Sequence, residues 1–140
     1  MGKDETYLVH AMRAIIVGHG RCPSLTLLLG EIVGTDAVDL ARSLAILLGA
    51  IDNGCRRPVT IGYRGDAALT LDEIQIVAIL AAAQREEAAE LSARLNWLVA
   101  APHQIPVAIA ARIIGRLLRK NGIVLRGTRR QEPQVMAIVA

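Results

Sequence analysis

The sequence predicts a mainly α-helical fold, about six helices in one compact domain spanning 1–140, with one or two short β-hairpins. Three observations carry that expectation. Hydrophobic residues make up 53% of the 140 and the net charge is only +3, a balance that favours a packed core over a disordered chain. Aromatics are 2%, namely Tyr7, Tyr63 and Trp97 with no Phe. That scarcity excludes an aromatic-filled sandwich and a sheet that stacks nucleobases. Apolar side chains also recur at three- and four-residue intervals, in segments bounded by Gly, Pro and Asn.

The elements follow in order. A first helix is expected over 4–17, with Leu8, Ala11, Met12, Ile15 and Ile16 on one stripe and Gly18 at its end. After a turn at 18–22, a second helix opens on Pro23 with Cys22 in the cap position, and ends at Gly34. A third starts at Thr35-Asp36 and stops at Asp52-Asn53-Gly54. The second and third helices are apolar almost all round, so they are either central or an oligomer interface, and residues 1–55 could make the chain a dimer. Residues 58–63 alternate like a short strand, with a turn at Gly65-Asp66. Thr70 with Glu73 three residues later is a capping box, and opens a fourth helix over 71–84. The polar run Gln84-Arg85-Glu86-Glu87 then favours a break before a fifth helix that Pro102 ends. A sixth helix begins at Pro106 and stops at Asn121-Gly122, a left-handed cap. Residues 123–126 read as a strand, 127–133 as a turn, and 134–139 as a second strand.

Charge is separated along the chain. Residues 1–90 carry 8 basic and 12 acidic side chains, net −4, whereas residues 91–140 carry 8 basic and only Glu132 acidic, net +7. A basic end of this kind favours an acidic partner. On the sixth helix, Val107, Ala110, Ile113, Ile114, Leu117 and Leu118 form an apolar face. Arg112, Arg116, Arg119 and Lys120 fall opposite, within one arc. Cations near a helix C-terminus favour its dipole, which accounts for Arg119 and Lys120 but poorly for Arg112. It does not account for Arg126, Arg129 and Arg130 beyond the helix. All seven share one side if the last two strands fold back as a hairpin.

A capped helix starting Leu69-Thr70-Leu71, two later helices and a last helix ending Arg116-Leu117-Leu118-Arg119-Lys120-Asn121-Gly122 precede a strand, a basic turn and a strand. This order resembles the winged-helix DNA-binding fold of the MarR-type repressors over residues 69–139. The resemblance implies a regulatory, non-enzymatic protein bound to duplex DNA. Arg112 and Arg116 would then reach the major groove, and Arg126, Arg129 and Arg130 the backbone or minor groove. Two features depart from that family. The stretch 99–105 is long, and the last helix opens on Ile105-Pro106-Val107-Ala108 without short polar residues. The competing reading is a helical interaction module or scaffold whose basic face meets an acidic protein. A helix-turn-helix in the second and third helices is rejected, because Asp36 and Asp39 would repel phosphate.

His19 and Cys22 are half of a metal motif, with His10, Cys55 and His103 scattered elsewhere, whereas a structural zinc site needs four ligands. Cys22, beside Arg21 and His19, is also a candidate reactive thiol. No nucleophile elbow, Walker loop or dinucleotide fingerprint is present in the sequence, so no catalytic set and no cofactor are expected. The carboxylates Asp36, Asp39, Asp72, Glu73, Glu86, Glu87 and Glu90 read as helix-start groups. Two cysteines are too few for a disulfide framework, and no secretory leader is recognisable behind Lys3-Asp4-Glu5. The longest uncharged stretch, 95–111, contains two prolines and falls short of the ~18–20 apolar residues of a membrane span. A cytoplasmic protein that does not enter a membrane is the expectation.

Overall fold

In a computed structural model, which describes residues 2–18, 23–63 and 65–126, the apolar periodicities become helices. They are α1 (Lys3–Gly18), α2 (Pro23–Val33), α3 (Ala37–Gly54), α4 (Leu71–Gln84), α5 (Ala88–Leu98) and α6 (Gln104–Lys120). Short 3-10 turns precede α3 (Gly34–Asp36) and α6 (Ala101–His103). The mainly helical class is therefore as expected. No described helix is long and apolar enough to cross a membrane.

Two helices form the centre. α4 is buried at every position from 76 to 84, so it has no solvent face along that length. α3 packs against α1, α2 and α6, while its Val38 and Ile46 stay exposed. α6 lies in the crease between α3 and α4, and α5 closes over α4. α3 and α6 run antiparallel. Asp36 before α3 accepts hydrogen bonds from Lys120 and Asn121 at the end of α6. Gly54 at the other end sits on His103, where any Cβ would overlap the imidazole-bearing carbon.

Several local expectations change. Asp36 is not a side-chain cap for α3, because its carboxylate is spent on α6. α6 begins two residues before Pro106, and Pro102 belongs to the 3-10 turn. Among the described residues there is no strand. Residues 58–63 have no neighbouring strand. Their amides turn instead to carboxylates of α4: Thr60 N donates to Asp72 at 2.7 Å and Gly62 N to Glu73 at 3.0 Å. Residues 123–126 are extended but are held by a side chain. Buried Gln84 donates to the carbonyls of Gly115 and Ile123 and accepts from Leu125 N. The turn and second strand of the expected hairpin lie outside the described residues.

Two punctuation signals appear as read. The break between α4 and α5 falls at Arg85–Glu87, with Glu86 in the left-handed region (φ 59°). At the end of α6, Gly122 adopts φ 78°, Gly122 N donates to Arg119 O, and Ile123 N donates to Leu118 O. That bond pair closes a helix with a left-handed residue.

The capping box at α4 is complete. Thr70 Oγ1 accepts from Glu73 N at 3.0 Å, and Glu73 accepts from Thr70 N at 2.9 Å. Thr70 also donates to Thr60 O, tying the preceding loop to the helix. Thr70→Ala should therefore cost ~1 kcal/mol or slightly more, and Thr70→Ser much less. Denaturant melts of the two variants check this, equal losses being inconsistent with a cap.

Candidate nucleic-acid interface

Five of the ten arginines among the described residues have partners for their guanidinium groups. Arg13 is bidentate on Glu73, Arg57 is bidentate on Asp72 and lies over the Trp97 ring, and Arg56 holds Asn96. Arg85 bridges Glu87 and Glu90, and Arg94 reaches Glu90 and Gln75. Partial burial works against ionised Glu90, yet the Arg85 hydrogen bond and the charges of Arg85 and Arg94 hold its carboxyl below the usual carboxylate range.

α6 gathers three of the others on one face. Arg112, Arg116 and Arg119 are exposed on it without a carboxylate contact among the described residues. The helix places them. Val107, Ala110, Ala111, Ile114, Gly115 and Leu118 are buried in the crease, so the opposite arc faces solvent. At about 100° per residue, Arg112 and Arg119 fall on the side of that arc nearer α4 and α5, with Arg116 near its middle. There they line a groove of about 210 Å³ with Ala83, Gln84, Arg85, Glu86 and Gly115. A second hollow of about 190 Å³ continues it past Arg112 and Arg116 to Ala88 and Leu91. Gly115 makes this close approach possible, because a Cβ there would stand 3.0 Å from the Gln84 backbone.

The other expected site residues divide. Lys120 is exposed but is spent on Asp36 at 3.3 Å, so it is not a free cation. Arg126 is exposed at the end of the segment 123–126. Arg129 and Arg130 lie outside the described residues, as do His19 and Cys22. No group of three His, Cys, Asp or Glu able to hold a metal occurs among the described residues. Asp39, Asp72, Glu73 and Glu90 lie in first helical turns as expected, and some carboxylates have further tasks. Glu87 heads α5 without a side-chain cap and instead binds Arg85, and Asp72 binds Arg57 and Thr60.

The apolar face of α6 needs correction. Ile113 was expected in the core with Leu117, but it is 48% exposed, and Leu117 is only half-buried. Burial is shared between α3 and α4, which centres it on Ala111 and Ile114 and leaves Ile113 at the edge. Ile105 (71%) and Ile109 (52%) are exposed as well, so the arginines stand among isoleucines. Glu86 is the acidic residue in the basic groove, and its position there follows from the left-handed turn that ends α4.

A larger cavity of about 420 Å³ lies elsewhere, between α1, α3 and the loop at 59–61. It is lined by Ile15, Ile16, Leu48, Ile51, Val59 and Ile61, with Asp52 at its edge. Aliphatic walls and one carboxylate provide no acid–base pair or nucleophile. The groove along α6 instead offers convergent guanidiniums, a chemistry suited to phosphate. No family model, curated protein or solved structure matches the chain.

Proposed function

We propose that the chain is a regulatory, non-enzymatic protein that binds duplex DNA through the exposed face of α6 and the basic residues that follow it. One observation carries the reading: Arg112, Arg116 and Arg119 stand open together on one helical face and line one groove, whereas Arg13, Arg56, Arg57, Arg85 and Arg94 are paired. Keeping three like charges together without an ion pair costs stability, and an anionic partner offsets that cost. The succession α4, α5, α6 and an extended segment leading to Arg126, Arg129 and Arg130 supports a winged-helix arrangement. α6 would enter the major groove, and the residues after it would follow the backbone.

The experiment is a titration of labelled duplex DNA over a range of salt concentrations. Binding should weaken steeply with salt, each neutralised phosphate contributing about 0.9 to the log–log slope. Arg129→Gln and Arg130→Gln should lower that slope and weaken all sequences alike, because phosphate contacts carry no sequence information. Arg112→Gln or Arg116→Gln should relax base preference if either reads guanine. Glu86→Gln removes the carboxylate from the groove and should tighten binding by roughly twofold to fivefold, the scale of an exposed charge pair. No binding even at ~50 mM salt would overturn the reading. Loss of an acidic protein partner in the same variants, without DNA binding, would replace it with the interaction-module reading.

A further inference from the structure

The most protruding line of α6 is not purely basic. At about 100° per residue, the middle of its exposed arc is occupied by Ile109, Arg116 and Ile105. Ile105 is 71% exposed and Ile109 is 52% exposed, although a core of leucine and isoleucine lies on the other side of the same helix. The arginines do not screen these isoleucines from solvent. They follow them along the helix at three- and four-residue spacing, with Arg112 three residues after Ile109.

We infer that Ile105 and Ile109 are specificity residues that read thymine methyl groups in the major groove, so that the preferred duplex is rich in A·T pairs. This rests on the DNA-binding reading of α6 and goes beyond it by naming what the helix recognises. The occupant is chosen by charge complementarity. The isoleucine strip continues through Ile113, which is 48% exposed, and is flanked along one side by Arg112 and Arg116. An apolar protein surface laid on it would bury guanidiniums without counter-charge, which is costly. The major groove offers both chemistries side by side: phosphates and purine acceptors for arginine, and the C5-methyl of thymine for an aliphatic group.

Spacing agrees. Residues four apart on a helix are separated by about 6 Å along its axis. Two base steps of about 3.4 Å cover nearly the same distance. Isoleucine cannot hydrogen-bond, so against cytosine it would cover the N4 donor and leave it unpaired. Discrimination then comes both from the methyl gained and from the donor left unpaired.

The test uses the unaltered protein and three duplexes: alternating dA-dT, the same duplex with deoxyuridine replacing thymidine, and alternating dG-dC. Deoxyuridine removes only the methyl. The thymine duplex should bind tighter than the uracil duplex by about fourfold for one buried methyl and about fifteenfold for two. The dG-dC duplex should bind most weakly. An Ile105→Ala/Ile109→Ala variant, with its helicity checked by circular dichroism, should bind the thymine and uracil duplexes equally. Equal, salt-sensitive binding of both duplexes by the unaltered protein overturns this inference and leaves the DNA-binding reading standing. No binding to any duplex at low salt overturns both. A dimer that Ile109→Asp dissociates, with no thymine–uracil contrast, assigns the strip to a second copy and overturns the inference.

Discussion

Arg13→Met should cost about 3–5 kcal/mol of folding stability, the largest loss expected from a single substitution in this chain. Arg13 and Glu73 are both fully buried, and their side chains meet at 2.7 and 2.8 Å. All five guanidinium donors are used. Beyond the two bonds to Glu73, Arg13 donates to the carbonyls of Tyr63, Asp66 and Ala68. Glu73 is equally engaged, accepting also from Gly62 N and Thr70 N. Removing the arginine strands a buried carboxylate and takes a donor from three loop carbonyls at once, of which Tyr63 O keeps Asp66 N. The Arg13→Met/Glu73→Leu double variant should regain only part of the loss. The charge problem disappears, but Gly62 and Thr70 keep donors without acceptors. Denaturant unfolding of the two variants measures the difference. A single variant that loses less than ~1 kcal/mol would show that the pair does not organise the fold.

The same pair sets an acid limit on stability. Burial opposes ionisation of Glu73, but hydrogen bonds from Arg13 and from the Thr70 and Gly62 amides outweigh it and hold the carboxyl below its ordinary range. The unfolded chain therefore binds the extra proton first as pH falls. The contribution of Glu73 is fully present above its unfolded pKa, about 4.3, and is lost as pH drops through the lower folded value. In Glu73→Gln this part of the acid limb should flatten, while the contributions of other depressed carboxylates such as Glu90 remain.

Gln84→Leu should be the second large effect, about 2–4 kcal/mol. The substitution keeps volume and burial but removes both hydrogen-bonding ends of the side chain. Ile123 O and Leu125 N then lose partners at 2.9 and 2.6 Å, and each buried polar group left unmade costs about 1–3 kcal/mol. Gly115 O keeps its place in the α6 ladder, so the helix itself should persist. The segment 123–125 should come away from the core, exposing Ile123 and Leu125, both buried in the intact protein. Amide hydrogen exchange is the direct measurement: Leu125 should lose protection while the amides of α6 keep theirs. Unchanged protection at Leu125 would mean that apolar packing alone holds the segment.

Both predictions concern residues whose importance is hard to see in the sequence. Arg13 reads there as an interruption of an apolar stretch, and Gln84 as the first of a polar run. The available signal was a single cation in the densest apolar part of α1 and a capping glutamate without a helix neighbour. The basic face was more legible. Arg112, Arg116 and Arg119 lie on one exposed side of α6, as helical spacing requires. Lys120 shares that side but is neutralised by Asp36, which lies 84 positions away in the chain.

The sequence by itself determined what depends on neighbours within a turn or two. Apolar residues at helical spacing place the helices, Thr70 and Glu73 cap α4, Gly122 ends α6 in a left-handed turn, and the three arginines share one arc. These features need only the helical repeat and local hydrogen bonds, so they are written in consecutive residues. The tertiary structure decided everything that needs a partner from elsewhere. It joined Arg13 to Glu73 across 60 positions, and gave the amides of 60 and 62 to carboxylates rather than to a strand. It also laid α6 between two helices instead of on one, which moved Ile113 out of the core and left Ile105 and Ile109 in the open. A helical wheel states which residues share a face. Which of those faces is buried depends on where α3 and α4 stand, and the local sequence of α6 does not encode that.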